Sequence, residues 1–433
     1  MRQDRGASSR PRSTFAGSSV EGRSAWVAAA ATLAILSLSY GAPLIVVVDL
    51  TRIQSSLGTD RSVVALASAF VWLGTGVGGI LMGRIAERVG IRVVAAFGAV
   101  MMAGGLAVSS AGTVPLLLLG HGVMMGVLGN GALYPPLVVY VSRWFDRHRG
   151  TAIALISSGQ YVAGVFWPAP FERVTIAIGW QATMLAYAAL ILATVLPLAL
   201  LLLRPFPAPS APGPAPGETK ETAPAPTPHG LPGLTASRVQ AMLCVASFLC
   251  CVPMAIPAAH LVAFAGSVGI TAAMGAAMLS VMLGSAFVGR QLWGLLAEHI
   301  GGLPTLVVCE ACQTLAIALF AVIRNESALF VLAAAYGFGF AGIIPSYVLV
   351  IRELFVSADA ATRIPLILFT STLGMAFGTW FAGALFDHFG TYAPAFVNGA
   401  LFNLANLAIL GFLLARWWGS GFGAGRLWRQ STV

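Results

Sequence analysis

The sequence predicts an all-α membrane protein of twelve transmembrane helices, arranged as two pseudo-symmetric six-helix bundles. Of its 433 residues, 58% are hydrophobic and only 9% are charged, too few polar groups to cover the surface of a soluble fold. The apolar residues fall into twelve runs, each near the roughly 20 residues that a helix needs to cross a bilayer. A Gly-x-x-x-acid-x-x-Gly motif begins at Gly83 and again 211 positions later at Gly294, which indicates a duplicated chain.

The first six runs predict an N-terminal bundle over residues 25–203, after a polar tail at 1–24. The first run follows a polar segment too long for a secretory signal, and eleven more runs follow, so we interpret it as an uncleaved helix. Proline and glycine inside a run are tolerated where neighbouring helices satisfy the freed backbone groups. The predicted spans are 25–48, 62–83, 93–110, 114–140, 150–169 and 178–203.

The last six runs predict a C-terminal bundle over residues 239–416, before a tail at 417–433. Residues 204–238 are rich in Pro, Ala and Thr, a composition that favours extended chain and builds no core. We interpret this segment as a cytoplasmic linker between the bundles. The predicted spans are 239–265, 272–296, 304–323, 327–351, 364–385 and 393–416.

The basic residues predict the orientation. Placing both termini in the cytoplasm puts nineteen of the 24 Lys and Arg residues on that side and four on the other, as the positive-inside rule requires. We therefore expect a multi-pass protein of the inner (cytoplasmic) membrane with both termini cytoplasmic. The dispersal of these charges over short loops argues against nucleic-acid binding, which needs a basic folded face.

Residue patterns for enzyme chemistry do not stand out. The five cysteines fall within predicted spans, and the one Cys-x-x-Cys pair, Cys309 and Cys312, is typical of small packing residues when it lies on a helix in lipid. We find no Ser-His-Asp set, phosphate-binding loop or paired-carboxylate site. The sequence thus predicts no enzyme, no cofactor and no metal; the expected partners are the bilayer and a transported solute, with no obligate protein partner.

The first copy of the repeated motif reads GRIAERVGIR. It resembles the signature Gly-x-Leu-x-Asp-Arg-x-Gly-Arg between helices 2 and 3 of the major facilitator superfamily, with Glu87 in place of Asp. The resemblance implies two bundles that rock about a central site. The acid beside arginines can form a charge network that latches the bundles in one state. The expected latch residues are Gly83, Glu87, Arg88, Gly90, Arg92 and, in the second copy, Glu298.

The segment RWFDRHRGTAIALISSGQYVAG, between the fourth and fifth spans, is similar to the Arg-Trp-Phe-x-x-Arg-Arg-Gly-x-Ala segment of the monocarboxylate and oxalate/formate porter branch. Matching positions are Arg143, Trp144, Phe145, Arg147, Arg149, Gly150, Ala152 and Gly159. Two residue pairs, Gly179 with Trp180 and Gly289 with Arg290, also resemble the corresponding positions in members of this branch. The resemblance implies transport of a small organic anion.

Arg290 is the first candidate for binding that anion. An ionisable group inside the membrane is costly unless it is paired or hydrated, and Arg290 lies about 12 Å from the cytoplasmic end of its helix. Its planar guanidinium matches a carboxylate. It resembles the helix 8 arginine that binds the carboxylate in the monocarboxylate branch. The alternative is a structural Gly-Arg element neutralised within the protein.

Glu310 lies at a similar depth, about 12 Å, on the following helix. If the two side chains face each other, Glu310 is either a permanent partner of Arg290 or a carboxylate that releases the arginine when protonated and so couples protons to anions. A lone Glu on this helix can instead extend towards the cytoplasm.

Four polar residues complete the predicted substrate site: Tyr134, Gln160, Tyr161 and His260. Histidine titrates in a range useful to a proton-linked carrier, although a histidine at a helix end is commonly an interfacial hydrogen-bonding group. We predict a secondary transporter that moves a small organic anion, a monocarboxylate by resemblance, by alternating access and proton symport. The alternatives are anion exchange, a drug or metabolite exporter on the same fold, and a transporter-like sensor or scaffold.

Overall fold

A computed structural model describes residues 22–145, 148–203, 231, 233–355 and 357–419. Within these residues, eleven helices are long and apolar enough to cross a membrane. We number the membrane helices 1 to 12 in chain order. They are helix 1 (Arg23–Val48), helix 2 (Arg61–Val89), helix 3 (Ile91–Ser109), helix 4 (Val114–Ser142), helix 6 (Trp180–Leu202), helix 7 (Ala236–Ser267), helix 8 (Ala272–Ile300), helix 9 (Gly302–Phe320), helix 10 (Glu326–Leu354), helix 11 (Ser357–Phe389) and helix 12 (Ala393–Gly419).

The fifth crossing is built from three short helices in series: Arg149–Ser157, Gly159–Phe166 and Pro168–Ile178. The predicted span, 150–169, was wrong in being continuous and in ending early. The breaks fall where the side chain of Ser158 bonds the carbonyl of Ala154, at 2.8 Å, and where Pro168 has no N–H to continue the preceding turns. We call the three segments together helix 5. They bring the passes to twelve, as the predicted fold class requires.

Helices 4 and 10 are also irregular. The middle of helix 4, Gly120–Asn130, is wound as a π-helix, a form that is frequent at functional sites. Its close packing against helix 2 depends on glycine, since a Cβ on Gly78 would lie 2.1 Å from the carbonyl oxygen of Val127. Helix 10 is interrupted between Phe340 and Ile343.

Glycines with positive φ mark the internal repeat at the turns. In the described residues, every backbone with positive φ belongs to glycine, the residue that adopts this conformation without a steric penalty. Three pairs of these glycines are 211 positions apart: Gly58 with Gly269, Gly90 with Gly301, and Gly179 with Gly390. The repeat seen in one sequence motif therefore extends to three turns of each half.

These turns also identify the two faces of the molecule. The motif face carries Gly90 and Gly301, and the opposite face carries the other two glycine pairs. Helix 2 packs against helix 11, helix 5 against helix 8, and helix 1 against helix 7. These contacts join the six helices before the predicted linker to the six after it. Of the linker, 204–230 and 232 lie outside the described residues, as do 1–21 and 420–433 of the tails, so the linker remains a prediction.

Candidate functional site

Arg290 lies on helix 8 at the interface between the two bundles. The preceding Gly289 packs against Phe338 of helix 10, so Arg290 is directed to the other side, towards helix 5. There its Nη1 donates to the carbonyl oxygen of Ser157 at 3.2 Å, beside the break in helix 5. Its guanidinium carbon lies 4.8 Å from the ring centroid of Tyr161, a distance at which a cation is attracted to an aromatic face.

The positive charge of Arg290 is not neutralised by a carboxylate. Within the described part of the chain, no acidic side chain forms an ion pair with it, and its buried Nε has no hydrogen-bond partner. A carbonyl oxygen and an aromatic ring offset the cost of desolvating a cation only in part. The half-buried arginine is therefore suited to an external anion.

Three tyrosines from the N-terminal half lie on this side of the site. Tyr161 of helix 5 is 2% exposed and interacts with Gln160 as well as with Arg290. Tyr40 of helix 1 and Tyr134 of helix 4 pack edge to face, with ring centroids 5.8 Å apart, and the charge of Arg290 acts on Tyr40. Arg290 of the second half thus stacks on Tyr161 and lies near Tyr40, which in turn packs on Tyr134.

Sequence reasoning selected Tyr134, Gln160 and Tyr161 but missed Tyr40. A signal for Tyr40 was present, since it directly precedes Gly41 in a helix that also contains Pro43. On the other side of the site, Phe340 packs against Tyr161 with ring centroids 6.2 Å apart. It lies where helix 10 is interrupted, so an irregular stretch of helix adjoins the site.

Arg290 and Glu310 do not face each other, so the pairing that the sequence left open as one alternative is absent from the described residues. The two side chains form no ion pair, although both are described. Glu310 is 0% exposed and lies inside the C-terminal bundle, beside Cys250, Asn403 and Asn406. Equal depth in the membrane does not fix the direction of a side chain around its helix axis: helix 8 turns Arg290 to helix 5, whereas helix 9 turns Glu310 to helices 7 and 12.

His260 lies in a hydrogen-bonded cluster rather than beside Arg290. Its Nε2 donates to the carbonyl oxygen of Thr379 at 2.8 Å, because a carbonyl can only accept. The neutral ring then accepts through Nδ1 from the hydroxyl of Tyr392, at 3.0 Å. Both ring nitrogens are occupied and the residue is 0% exposed, so His260 has no free polar atom for a ligand in this conformation.

The same cluster reaches across to the other bundle at the opposite face. Nη1 of Arg61, the first residue of helix 2, donates to the Tyr392 hydroxyl at 3.3 Å, and its guanidinium carbon lies 3.6 Å from the ring centroid of Phe386. Asp387 accepts from the backbone of Arg61. We call Arg61, His260, Asp387 and Tyr392 the opposite-face cluster. Sequence reasoning did not connect these residues, because they come from three distant segments.

At the motif face, two charges of the predicted latch, Glu87 and Arg92, have partners in their own bundle. Glu87 pairs with Arg143 at 3.4 Å, and both side chains are exposed. Nε of Arg92 donates to the carbonyl of Leu203 at the end of helix 6. Glu298 is exposed. A latch between the bundles formed by this motif therefore remains a prediction about another conformation.

Residues 27–323 match the family model of the Major Facilitator Superfamily. The chain is 25% identical over 284 residues to MFS-type transporter 1 of an Ophiocordyceps species, covering 64% of this chain and 60% of that protein. It is 27% identical over 337 residues to monocarboxylate transporter 13 of Rattus norvegicus, covering 75% and 74%. The match thus spans less than two thirds of the fungal relative's length.

Solved structures agree on the fold. A bacterial homologue of the human lysosomal transporter Spinster, in an inward-facing and occupied conformation, superposes with a TM-score of 0.64 at 16% identity, covering 91% of this chain and 96% of that one. At this identity the likeness is one of fold alone.

Proposed function

Because the chain belongs to the major facilitator superfamily, and is thus a multi-pass membrane transporter rather than an enzyme, we propose that it moves a small organic anion by alternating access, with Arg290 as the binding group. The unneutralised guanidinium at the bundle interface is the observation that carries this proposal. A charge placed between two rocking bundles is exposed to each side of the membrane in turn, which is what a carried anion requires.

The class of anion follows from the number and shape of the charges. One fixed guanidinium matches one carboxylate in a bidentate pair. The hydroxyl groups of Tyr40, Tyr134 and Tyr161 offer further hydrogen bonds to a carboxylate or to a polar group next to it. A monocarboxylate is therefore the proposed substrate, in line with the name of the rat relative.

The proposed orientation places the motif face in the cytoplasm, in an inner membrane, because the basic residues of the loops concentrate there. In this orientation the opposite-face cluster closes the outer side. We propose proton symport as the coupling, with Glu310 as the carboxyl that takes the proton. Since Glu310 does not pair with Arg290, the coupling does not operate by competition for the arginine.

Uptake into proteoliposomes tests the anion site. A panel of labelled carboxylates is offered with and without a pH gradient, to wild type, Arg290→Lys and Arg290→Ala. We expect both variants to lose at least tenfold in uptake, because the lysine keeps the charge but not the planar fork. Arg324→Lys is the matched control, since the contacts of Arg324 are with carbonyls at the end of helix 9 and with the ring of Phe264.

Two results would change the proposal. Equal uptake by wild type and Arg290→Lys would leave only a need for positive charge and remove the bidentate site. If Arg290→Ala transported as well as wild type and the protein exported uncharged aromatic compounds, the alternative of a drug or metabolite exporter would be favoured.

A further inference from the structure

The polar interior of the C-terminal bundle contains a second site, centred on Glu310 of helix 9. Its carboxyl is 0% exposed. The side chains of Cys250, Asn403 and Asn406 lie beside it, yet neither carboxyl oxygen has a partner with hydrogen-bond geometry. An ionised carboxylate in such surroundings is strongly disfavoured unless a cation compensates it.

The groups packed around Glu310 supply no such cation. Among the described residues, the titratable groups that interact electrostatically with Glu310 come from helices 7, 9 and 10 and are all thiols or phenols, while helix 12 contributes amides. Thiols and phenols carry no positive charge in either protonation state. The titratable neighbours are Cys250, Cys309, Tyr336 and Tyr347. The carboxyl is therefore neutral in this conformation and holds a proton.

The hydrogen-bonding groups left free around the carboxyl fit a proton. Tyr347 donates to Oδ1 of Asn406 at 3.3 Å, which orients that amide and leaves its Nδ2 as a free donor. The free acceptors are the two oxygens of Glu310, Oδ1 of Asn403 and Oε1 of Gln313. Protonation turns one carboxyl oxygen into a donor and brings donors and acceptors nearer to balance. A metal ion would instead meet the amide N–H groups of Asn406, which cannot coordinate it.

We propose that Glu310, Asn403, Asn406 and Cys250 form a proton-binding site that is separate from the anion site at Arg290. The contacts of Arg290 are with helix 5, across the bundle interface, whereas this site is enclosed by helices 7, 9 and 12. Proton and anion bind without touching and affect each other only through the conformation of the protein.

Helix 7 provides the path for that effect. It contains Pro253 and Pro257, and because Pro257 has no N–H, the carbonyl of Pro253 loses its helical partner. The hydroxyl of Tyr336 donates to this carbonyl at 2.8 Å. Nε2 of Gln313, one turn from Glu310, donates to the carbonyl of Cys250 at 3.1 Å. A negative charge on Glu310 would change the packing of this kinked region. Because helix 7 contacts helix 1 of the other bundle as well as helix 11, such a change reaches the bundle interface.

Infrared difference spectroscopy between acidic and alkaline pH tests the site without any anion present. We expect a carbonyl band of a protonated carboxyl in wild type that is missing in Glu310→Gln. Asn403→Leu keeps the Glu310 carboxyl but removes a neighbouring amide, so it should shift the band. This second variant keeps the test decisive if Glu310→Gln fails to fold. Glu172→Gln is the matched control, because it removes a buried carboxyl that is paired with Arg52 and should leave the band unchanged.

The site is overturned if the band is missing in wild type or persists in Glu310→Gln. Loss of the band on adding Na⁺ at constant pH would make it a sodium site instead. In proteoliposomes, Glu310→Gln should keep anion exchange and lose at least tenfold of the stimulation by a pH gradient; unchanged stimulation would overturn its part in coupling. This last readout rests on the proposed anion transport, whereas the infrared result stands even if no anion is carried.

Discussion

Asp387 of helix 11 caps the first turn of helix 2 in the other bundle, by accepting hydrogen bonds from the backbone N–H of Arg61 at 3.0 Å and of Ser62 at 2.8 Å. The first N–H groups of a helix have no partner within the helix. The residue in the usual capping position, Asp60, makes no side-chain hydrogen bond there. A movement that separated helices 2 and 11 at the opposite face, as the proposed alternating access requires, would therefore uncap helix 2.

Asp387→Asn should weaken closure of the opposite face. The amide has one acceptor oxygen in place of two and lacks the charge that favours a helix N-terminus. Because Asp387 is exposed, we expect a loss of only about 0.5–1.5 kcal/mol of closed-state stability. Distances between spin labels on helices 2 and 11 should then show a larger open population.

The matched control is Asp359→Asn, an exposed acid at the start of the same helix that pairs within it, with Arg363. This variant should give the distance distribution of wild type. If Asp387→Asn did the same, the cap would contribute nothing to closure.

Tyr392→Phe should destabilise the protein at its opposite face. Burial raises the pKa of the Tyr392 phenol to about 12, with Arg61 opposing the shift, so the hydroxyl is a donor at neutral pH. Its loss leaves Nδ1 of His260 buried without a partner, at a cost of about 1–3 kcal/mol. Thermal unfolding in detergent measures the effect.

Replacing both partners separates this bond from ring packing. The double variant His260→Phe with Tyr392→Phe should lose less stability than the sum of the single changes, because it leaves no orphaned nitrogen. Strictly additive losses would show that the two side chains do not interact. Anion affinity of Tyr392→Phe should equal that of wild type, which tests the earlier assignment of His260 to the substrate site.

The fold was predictable because hydrocarbon imposes long apolar runs and satisfied backbones on the sequence. Eleven of the predicted runs coincide with single long helical crossings, such as 272–296 within Ala272–Ile300. Helix 5 was drawn wrongly because the chain there contains polar residues and two prolines close together, Pro168 and Pro170. A hydropathy profile stays high across such breaks, because it depends on the residue types and not on whether the helix is continuous.

The candidate site was predictable in depth but not in direction. Counting residues from a helix end gives the depth of Arg290 and of Glu310, since the rise per residue is fixed. The rotation of each helix depends on its neighbours, and here the glycine at 289, which packs against helix 10, decides where Arg290 points. Tyr40 was missed for the same reason, because its place beside Gly41 does not show which way helix 1 turns it; in the structure it packs on Tyr134 of helix 4.

The ring of Tyr161 holds the guanidinium of Arg290 in place, so its shape should matter more than its hydroxyl. The two groups are 4.8 Å apart, and a cation over an aromatic face gains about 0.5–2 kcal/mol, more where water is excluded. Tyr161→Phe keeps this contact and should reduce anion affinity less than threefold, whereas Tyr161→Leu removes it and should reduce affinity by about tenfold, the equivalent of about 1.4 kcal/mol.

Equilibrium binding of a labelled monocarboxylate to the purified protein gives the comparison. Tyr134→Leu removes another aromatic ring of the same site without removing the stacking on Arg290, and it should reduce affinity less than Tyr161→Leu does. If Tyr161→Phe lost as much affinity as Tyr161→Leu, the hydroxyl of Tyr161 would contribute more to anion binding than the stacking of its ring on Arg290.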